Sequence, residues 1–306
     1  QILGLSLLAV FLPLRGLAVE QAVNPAGALE RVEDEGDLDP TEAQPVLVGL
    51  PREDLFHPLL GDPKEPRTFA TYLHTTLRSR SASVAAIGFG ERWGIVRGQG
   101  TRDGDGWQIG LSGGVFAQFN LDTASKDLVN ADYLIGVPFT WRHGPWTGRL
   151  NLYHQSSHLG DEFLLHTQAE RVNLSFEAVE ALVARDLGSW RIYGGGDYLI
   201  DPEPADLASG ILHAGAEYRH PRRTVSVGRI GRARWVGAAD LKSLEEHDWT
   251  VAWSLRAGLE FSPVGAPAGT RRSWSLLVEA YEGPAPWGQF YQDDVSYLGF
   301  GFHLSL

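Results

Sequence analysis

With 306 residues, of which 43% are hydrophobic and 21% charged, the chain is long enough for one large domain or two ordinary ones. Its net charge of −12 excludes nucleic acid as a partner, because phosphate binding needs a basic surface. Cysteine is absent, which excludes a disulfide scaffold and a thiolate metal centre.

The segment Ile2 to Leu12 is a continuous apolar run, too short for a helix that crosses a bilayer, which takes about 20 residues. Pro13, Arg15 and the small-residue site Gly16-Leu17-Ala18 follow it. This pattern predicts a signal peptide over 1–18, with its basic region upstream of Gln1. Residues 19–67 crowd Glu20, Glu30, Glu33, Asp34, Glu35, Asp37, Asp39 and Glu42 among prolines, with few large apolar side chains. Such a stretch buries too little surface to offset its ordering entropy, so a largely disordered acidic periplasmic linker is expected.

Beyond Thr68 the chain alternates apolar and polar residues with period two, segment after segment, between turn-rich breaks. Trp107, Ile109, Leu111, Val115 and Phe119 share one face, opposite Gln108, Ser112, Gln118 and Asn120. Tyr133, Ile135, Val137, Phe139 and Trp141 do the same, as do Val251, Trp253, Leu255, Leu259 and Phe261. Strands are predicted near 68–77, 84–96, 106–119, 129–142, 146–157, 169–185, 189–200, 208–219, 223–237, 248–262, 273–282 and 295–306.

Three features select a membrane barrel over a sandwich. Tight breaks at 143–145, 186–188 and 220–222 alternate with longer polar ones at 120–128, 158–168, 201–207 and 238–247. Trp141, Trp146 and Trp190 sit beside the tight turns, with Trp107 and Trp274 after longer ones, as an interfacial girdle requires. The chain ends on an alternating strand, Leu298, Phe300, Phe302, Leu304 and Leu306, which resembles the C-terminal signal read by the barrel-assembly machinery. The expectation is therefore all-β: a transmembrane antiparallel β-barrel of about twelve strands over 68–306, in the bacterial outer membrane with both termini periplasmic. The apolar face meets lipid; Arg149, Asn151, Arg171, Asn173, Asp197, Glu217, Arg256, Glu260 and Glu279 are assigned to the lumen. Pro138 inside a strand predicts a bulge.

Candidate chemistry lies on the strand from Trp146. Its outward parity, set by Trp146, Leu150 and Leu152, carries His154 and Ser156 to the lipid side near the strand's extracellular end. A serine becomes a nucleophile through a base, and the base needs a third group to fix its tautomer. On the next strand Val172, Leu174 and Phe176 set an even outward parity, which nominates Glu170, with Gln168 as substitute.

His154-Gln155-Ser156 resembles the His-x-Ser motif of two barrel families, outer-membrane phospholipase A and lipid A deacylase. The resemblance implies a serine hydrolase site facing the acyl chains of outer-membrane lipids: Ser156 as nucleophile, His154 as base, Glu170 as orienting group. The phospholipase resemblance also implies calcium; the residues of this chain specify no cofactor by themselves. Both families continue the motif with asparagine, where this chain has Ser157 and then His158. A broader resemblance is carried by DYLIGVPFTWRHGPW at 132–146, LYHQSSHLGDEF at 152–163 and EAYEGPAPWGQFY at 279–291. These look like the outer-membrane family designated DUF1207, which implies the fold and no activity. The alternative to a hydrolase is a non-enzymatic barrel, a narrow pore or a structural or surface-interaction protein. His158, Asp161, Glu162 and His166 form a loop cluster with divalent-cation donors, equally consistent with a solvated loop. Gly194-Gly195-Gly196 is not a phosphate loop, because no helix follows it.

Overall fold

Successive side chains on a strand point to opposite faces, so a sheet closed on itself sorts its sequence into an outer wall and a lumen. The computed structural model describes residues 46–102, 104–167, 171–228, 231–262 and 273–305. Residues 1–18, predicted as a signal peptide, and the acidic cluster from Glu20 to Glu42 lie outside the described residues.

The strands are β1 (Leu47–Gly49), β2 (Thr68–Leu77), β3 (Arg80–Gln99), β4 (Gly106–Asn120), β5 (Leu128–His143), β6 (Trp146–Leu159) and β7 (Leu174–Leu187). They continue as β8 (Trp190–Glu203), β9 (Gly210–Arg219), β10 (Val225–Val227), β11 (Gly231–Leu244), β12 (Thr250–Ser262), β13 (Ser273–Pro284) and β14 (Asp294–Ser305). A short helix, α1, spans Asp161–Thr167. Twelve of these strands form an antiparallel ring that closes where β14 pairs with β2; β1 and β10 attach outside it, on β3 and β11. No helix among the described residues is long and apolar enough to cross a membrane, and the crossing is made by strands.

The ring has two unlike ends. At the turn end, Gly144 and Gly188 take left-handed φ of 55° and 67° in two-residue turns, a conformation glycine reaches without strain. The loop end carries longer connections, including α1 and the segment 285–293. The tryptophan girdle forms at the turn end: Trp107 pairs with Trp141, and Trp274 stacks on Phe261 with ring centroids 3.9 Å apart. The Trp141 indole lies over Gly148, where any side chain would collide with the ring.

The stretch 46–67 departs from the disordered linker expected of it. Val46 to Gly49 runs along the wall, and residues 50–67 then fold into the lumen as a plug. Phe56 and Leu59 are fully buried; Phe56 lies between the guanidiniums of Arg149 and Arg191, 4.8 and 4.4 Å from its ring centre. Barrel side chains satisfy the plug's carbonyls: Arg256 donates to Leu60 at 3.0 Å, Arg191 to His57 at 2.9 Å, and Ser254 to Gly61 at 2.8 Å. Its charges are paired as well. Glu65 lies 2.9 Å from Arg149 and 2.8 Å from Arg92, Asp62 lies 3.0 Å from Lys242, and Lys64 pairs with Asp132. Burial alone would raise the Glu65 carboxyl, but Arg149 and Arg92 outweigh it and hold the group below its ordinary value. Most of the plug's buried polar groups thus have partners, which compensates the ordering entropy of the segment; Arg67 Nε is an exception among the described residues.

Four further differences from the expectation lie along the wall. The predicted strand 223–237 divides into β10 and β11, an antiparallel pair in which Val227 pairs with Gly231. On β7 the outward residues are odd, not even: Leu174 and Phe176 are buried in the lumen and pack with Leu199, while Glu177 faces out. Arg171 and Asn173 precede that strand and are exposed rather than luminal. Pro138 makes no bulge, since its neighbours keep register with β6 through Asn151; the register shifts fall at Gly94/Val96, Gln118/Phe119 and Ser175/Glu177.

Candidate active site

β6 and β7 run side by side from the turn end to the loop end, and their cross-strand pairing fixes which outward side chains are neighbours. His154 pairs with Glu177, and Ser156 pairs with Ser175. On β6 the odd residues Arg149, Asn151, Tyr153 and Gln155 line the lumen, while Leu150 and Leu152 are exposed on the wall. Parity therefore carries His154 and Ser156 outward, as the sequence predicts. Tyr133 and Ile135 of β5 flank them on one side, and Tyr198 and Ile200 of β8 flank Glu177 on the other; all four are exposed. The result is a two-by-two polar patch, His154, Ser156, Ser175 and Glu177, bordered by the apolar and aromatic side chains of Tyr133, Ile135, Tyr198 and Ile200.

Inside the patch, His154 Nδ1 lies 3.1 Å from Oε1 of Glu177. The two side chains are 41% and 52% exposed, so lipid or headgroups would surround them. A carboxylate on Nδ1 fixes the proton there and turns Nε2, the free ring nitrogen, into a base. Ser156 lies two residues along on the same face; among the described residues no hydrogen bond joins it to His154. Chemically this is a base already oriented, beside a hydroxyl it could deprotonate once substrate excludes water.

Glu170 and Gln168, nominated as the orienting group, lie outside the described residues. The register does not follow a hairpin symmetrical about residue 163: α1 occupies part of the connection, and Ser175 stands across from Ser156. The His154–Glu177 contact is not visible in the sequence, where Leu174 and Phe176 set an even outward parity on this strand. The loop cluster does not assemble either. His158 lies 3.3 Å from Arg171, His166 pairs with Asp127 at 2.7 Å, and Asp161 and Glu162 occupy the first turn of α1.

The comparisons with known proteins agree with the architecture. Residues 39–306 match the model of the family described as "Protein of unknown function (DUF1207)". The chain belongs to the DUF1207 family. Among solved structures, the DUF1207 barrel is similar to outer membrane phospholipase A from Escherichia coli, with a TM-score of 0.55 and 12% identity over 80% of this chain and 93% of that one. It is also similar to the Salmonella typhi outer membrane phospholipase dimer with bound calcium, with a TM-score of 0.51 and 12% identity over 80% and 94%. At that identity the likeness shows the fold, an outer-membrane β-barrel. No curated protein matches the chain.

Proposed function

We propose that this DUF1207 barrel is a serine-dependent acyl hydrolase of outer-leaflet lipids, with Ser156 as nucleophile, His154 as general base and Glu177 as the group that orients the histidine. The observation that carries the reading is the 3.1 Å contact of His154 Nδ1 with Glu177, two residues from Ser156 on the outward face. A charged carboxylate on a lipid-facing wall is costly unless it has a role, and orienting a catalytic imidazole is such a role. With both termini periplasmic, β6 runs outward and the patch lies toward the outer leaflet, where ester-linked acyl chains pass. Ser156 Oγ attacks the ester carbonyl while Nε2 of His154 takes its proton; the imidazolium then protonates the departing alkoxide, and water releases the acyl group by the same exchange. Glu177 stays ionised and stabilises the imidazolium. The fold shared with the two phospholipase structures supports the reading by analogy alone.

The test is labelling of the detergent-folded barrel with a tagged sulfonyl fluoride, alongside release of fatty acid from mixed phospholipid micelles. Modification at Ser156 that disappears in His154→Ala, with fatty-acid release abolished in Ser156→Ala, is expected. A folded barrel that is neither labelled nor active, with and without added calcium, would remove Ser156 and His154 from any catalytic role.

A further inference from the structure

Above the plug the lumen keeps a chamber of about 180 Å³, lined in part by Glu180, Asp197, Asp240 and Lys242. We infer that this lumen holds a divalent transition-metal site formed by Glu180 of β7, Asp197 of β8 and His213 of β9. It lies inside the barrel and is independent of the hydrolase reading, which concerns the outer wall.

Three adjacent strands bring the ligands together. Glu180 and Asp197 are directly paired across β7 and β8, and His213 pairs with Gly195, two residues from Asp197. One donor atom from each of the three lies within 4.8 Å of the others, the spread that a single ion spans with oxygen and nitrogen ligands.

The state of His213 is the second, independent observation. The residue is 3% exposed, and its Nε2 is held by the Asp240 carboxylate at 2.7 Å. With the Asp240 carboxylate accepting from that nitrogen, the neutral imidazole has its lone pair on Nδ1. Nδ1 is buried and has no hydrogen-bond partner among the described residues. A buried acceptor left unsatisfied is rare in a folded protein, and a metal ion is one of its standard explanations. Carboxylate, imidazole and metal in series is the usual way a ligating histidine is oriented.

Charge points the same way. Glu180 is paired with Arg149, Glu65 with Arg92 and Arg149, Asp62 with Lys242, and Asp132 with Lys64. Asp197 and Asp240 have no lysine or arginine partner among the described residues. Asp197 accepts from the Tyr153 hydroxyl at 3.0 Å, and Asp240 from the Tyr193 hydroxyl and His213. Lys242 lies near both carboxylates but is ion-paired with Asp62, so the three acids keep negative charge that a cation would offset. One imidazole nitrogen with two carboxylates and no thiolate suits Zn²⁺ or Mn²⁺, whereas Ca²⁺ takes six to eight oxygens.

The experiment is calorimetric titration of Zn²⁺ into the chelator-treated, detergent-folded full chain, with folding checked by heat-modifiable migration. One saturable site is expected, weakened at least tenfold in Asp197→Asn and in His213→Gln, and about tenfold in Asp240→Asn, which disturbs the histidine's orientation only. Asp197→Asn preserves shape in a partly exposed position, so it decides the matter should the histidine variant fail to fold. The absorption of bound Co²⁺ should change in His213→Gln wherever that variant folds. No saturable site in the wild-type protein, unchanged binding in Asp197→Asn, loss only in His158→Ala or His166→Ala, or displacement of Zn²⁺ by equimolar Ca²⁺ would each overturn the assignment.

Discussion

Glu65 and Arg149 are 84 residues apart in the chain and 2.9 Å apart in the lumen, with side chains 1% and 5% exposed. A buried pair of this kind adds little net stability over an apolar pair, but removing one partner strands the other, at about 3–5 kcal/mol. Glu65→Ala is therefore expected to loosen the plug by an energy of that order, and Glu65→Gln by less. Single-channel recording in planar bilayers reads the outcome directly. Wild-type barrels should be closed or nearly so, and Glu65→Ala barrels should show open bursts; silent traces from both would mean that the plug is held by its apolar contacts alone.

The same pair makes the plug sensitive to acid. Glu65 is held below its ordinary value by Arg149 and Arg92 against the opposing effect of burial, and Asp62 is lowered too, chiefly by Lys242 against burial. A carboxylate depressed in the folded state stabilises fully above its unfolded value and loses that contribution as pH falls through the lowered one. Docking of 50–67 should thus be insensitive to pH near neutrality and weaken below the ordinary carboxylate range. Hydrogen exchange of the segment should rise on acidification in the wild type and less steeply in Glu65→Gln. Equal slopes would assign the acid response to the strands.

Phe56 tests the apolar half of the plug. Its ring is fully buried with Leu59, Leu182, Ala184 and Tyr193, and two guanidiniums lie against it. Phe56→Ala leaves a cavity and should cost about 3–5 kcal/mol, read as a lower midpoint for plug release in denaturant while the barrel's own transition stays in place. A shift of both transitions together would mean that plug and wall unfold as one unit.

The wall was legible in the sequence because lipid outside forces an apolar face, and the pleat then fixes every other residue. Thr68 and Leu77 bound β2 as the alternation predicts, and the outward run Leu298, Phe300 and Phe302 on β14 is exposed. The same assumption misread β7, because the lumen has apolar residues of its own: Leu174 and Phe176 pack with Leu199 there. The plug escaped notice for a related reason. Leu55, Phe56, Leu59 and Leu60 are few, and Arg142, Arg191 and Arg256, more than eighty residues away, satisfy backbone carbonyls among them. Such partners are set by closure of the ring, which a reading along the chain does not contain. The outward facing of His154 and Ser156 follows from parity within one strand; the contact with Glu177 follows only from the register between two.

Glu177 provides the sharpest test of the outer patch. If it orients His154, Glu177→Ala should slow labelling of Ser156 by roughly 10²-fold or more, since general-base catalysis contributes about 10²–10⁴-fold and depends on the base's tautomer. Glu177→Gln should recover only part of this, because an amide can hold the ring yet stabilises the imidazolium less. Neither substitution should alter melting much, as both side chains stand exposed on the wall. Ser81→Ala, at an exposed serine of β3 far along the ring, should leave the labelling rate unchanged. Labelling as fast in Glu177→Ala as in the wild type would show that the serine, if reactive, draws its base from elsewhere, and the His154–Glu177 contact would then be a surface ion pair on the wall.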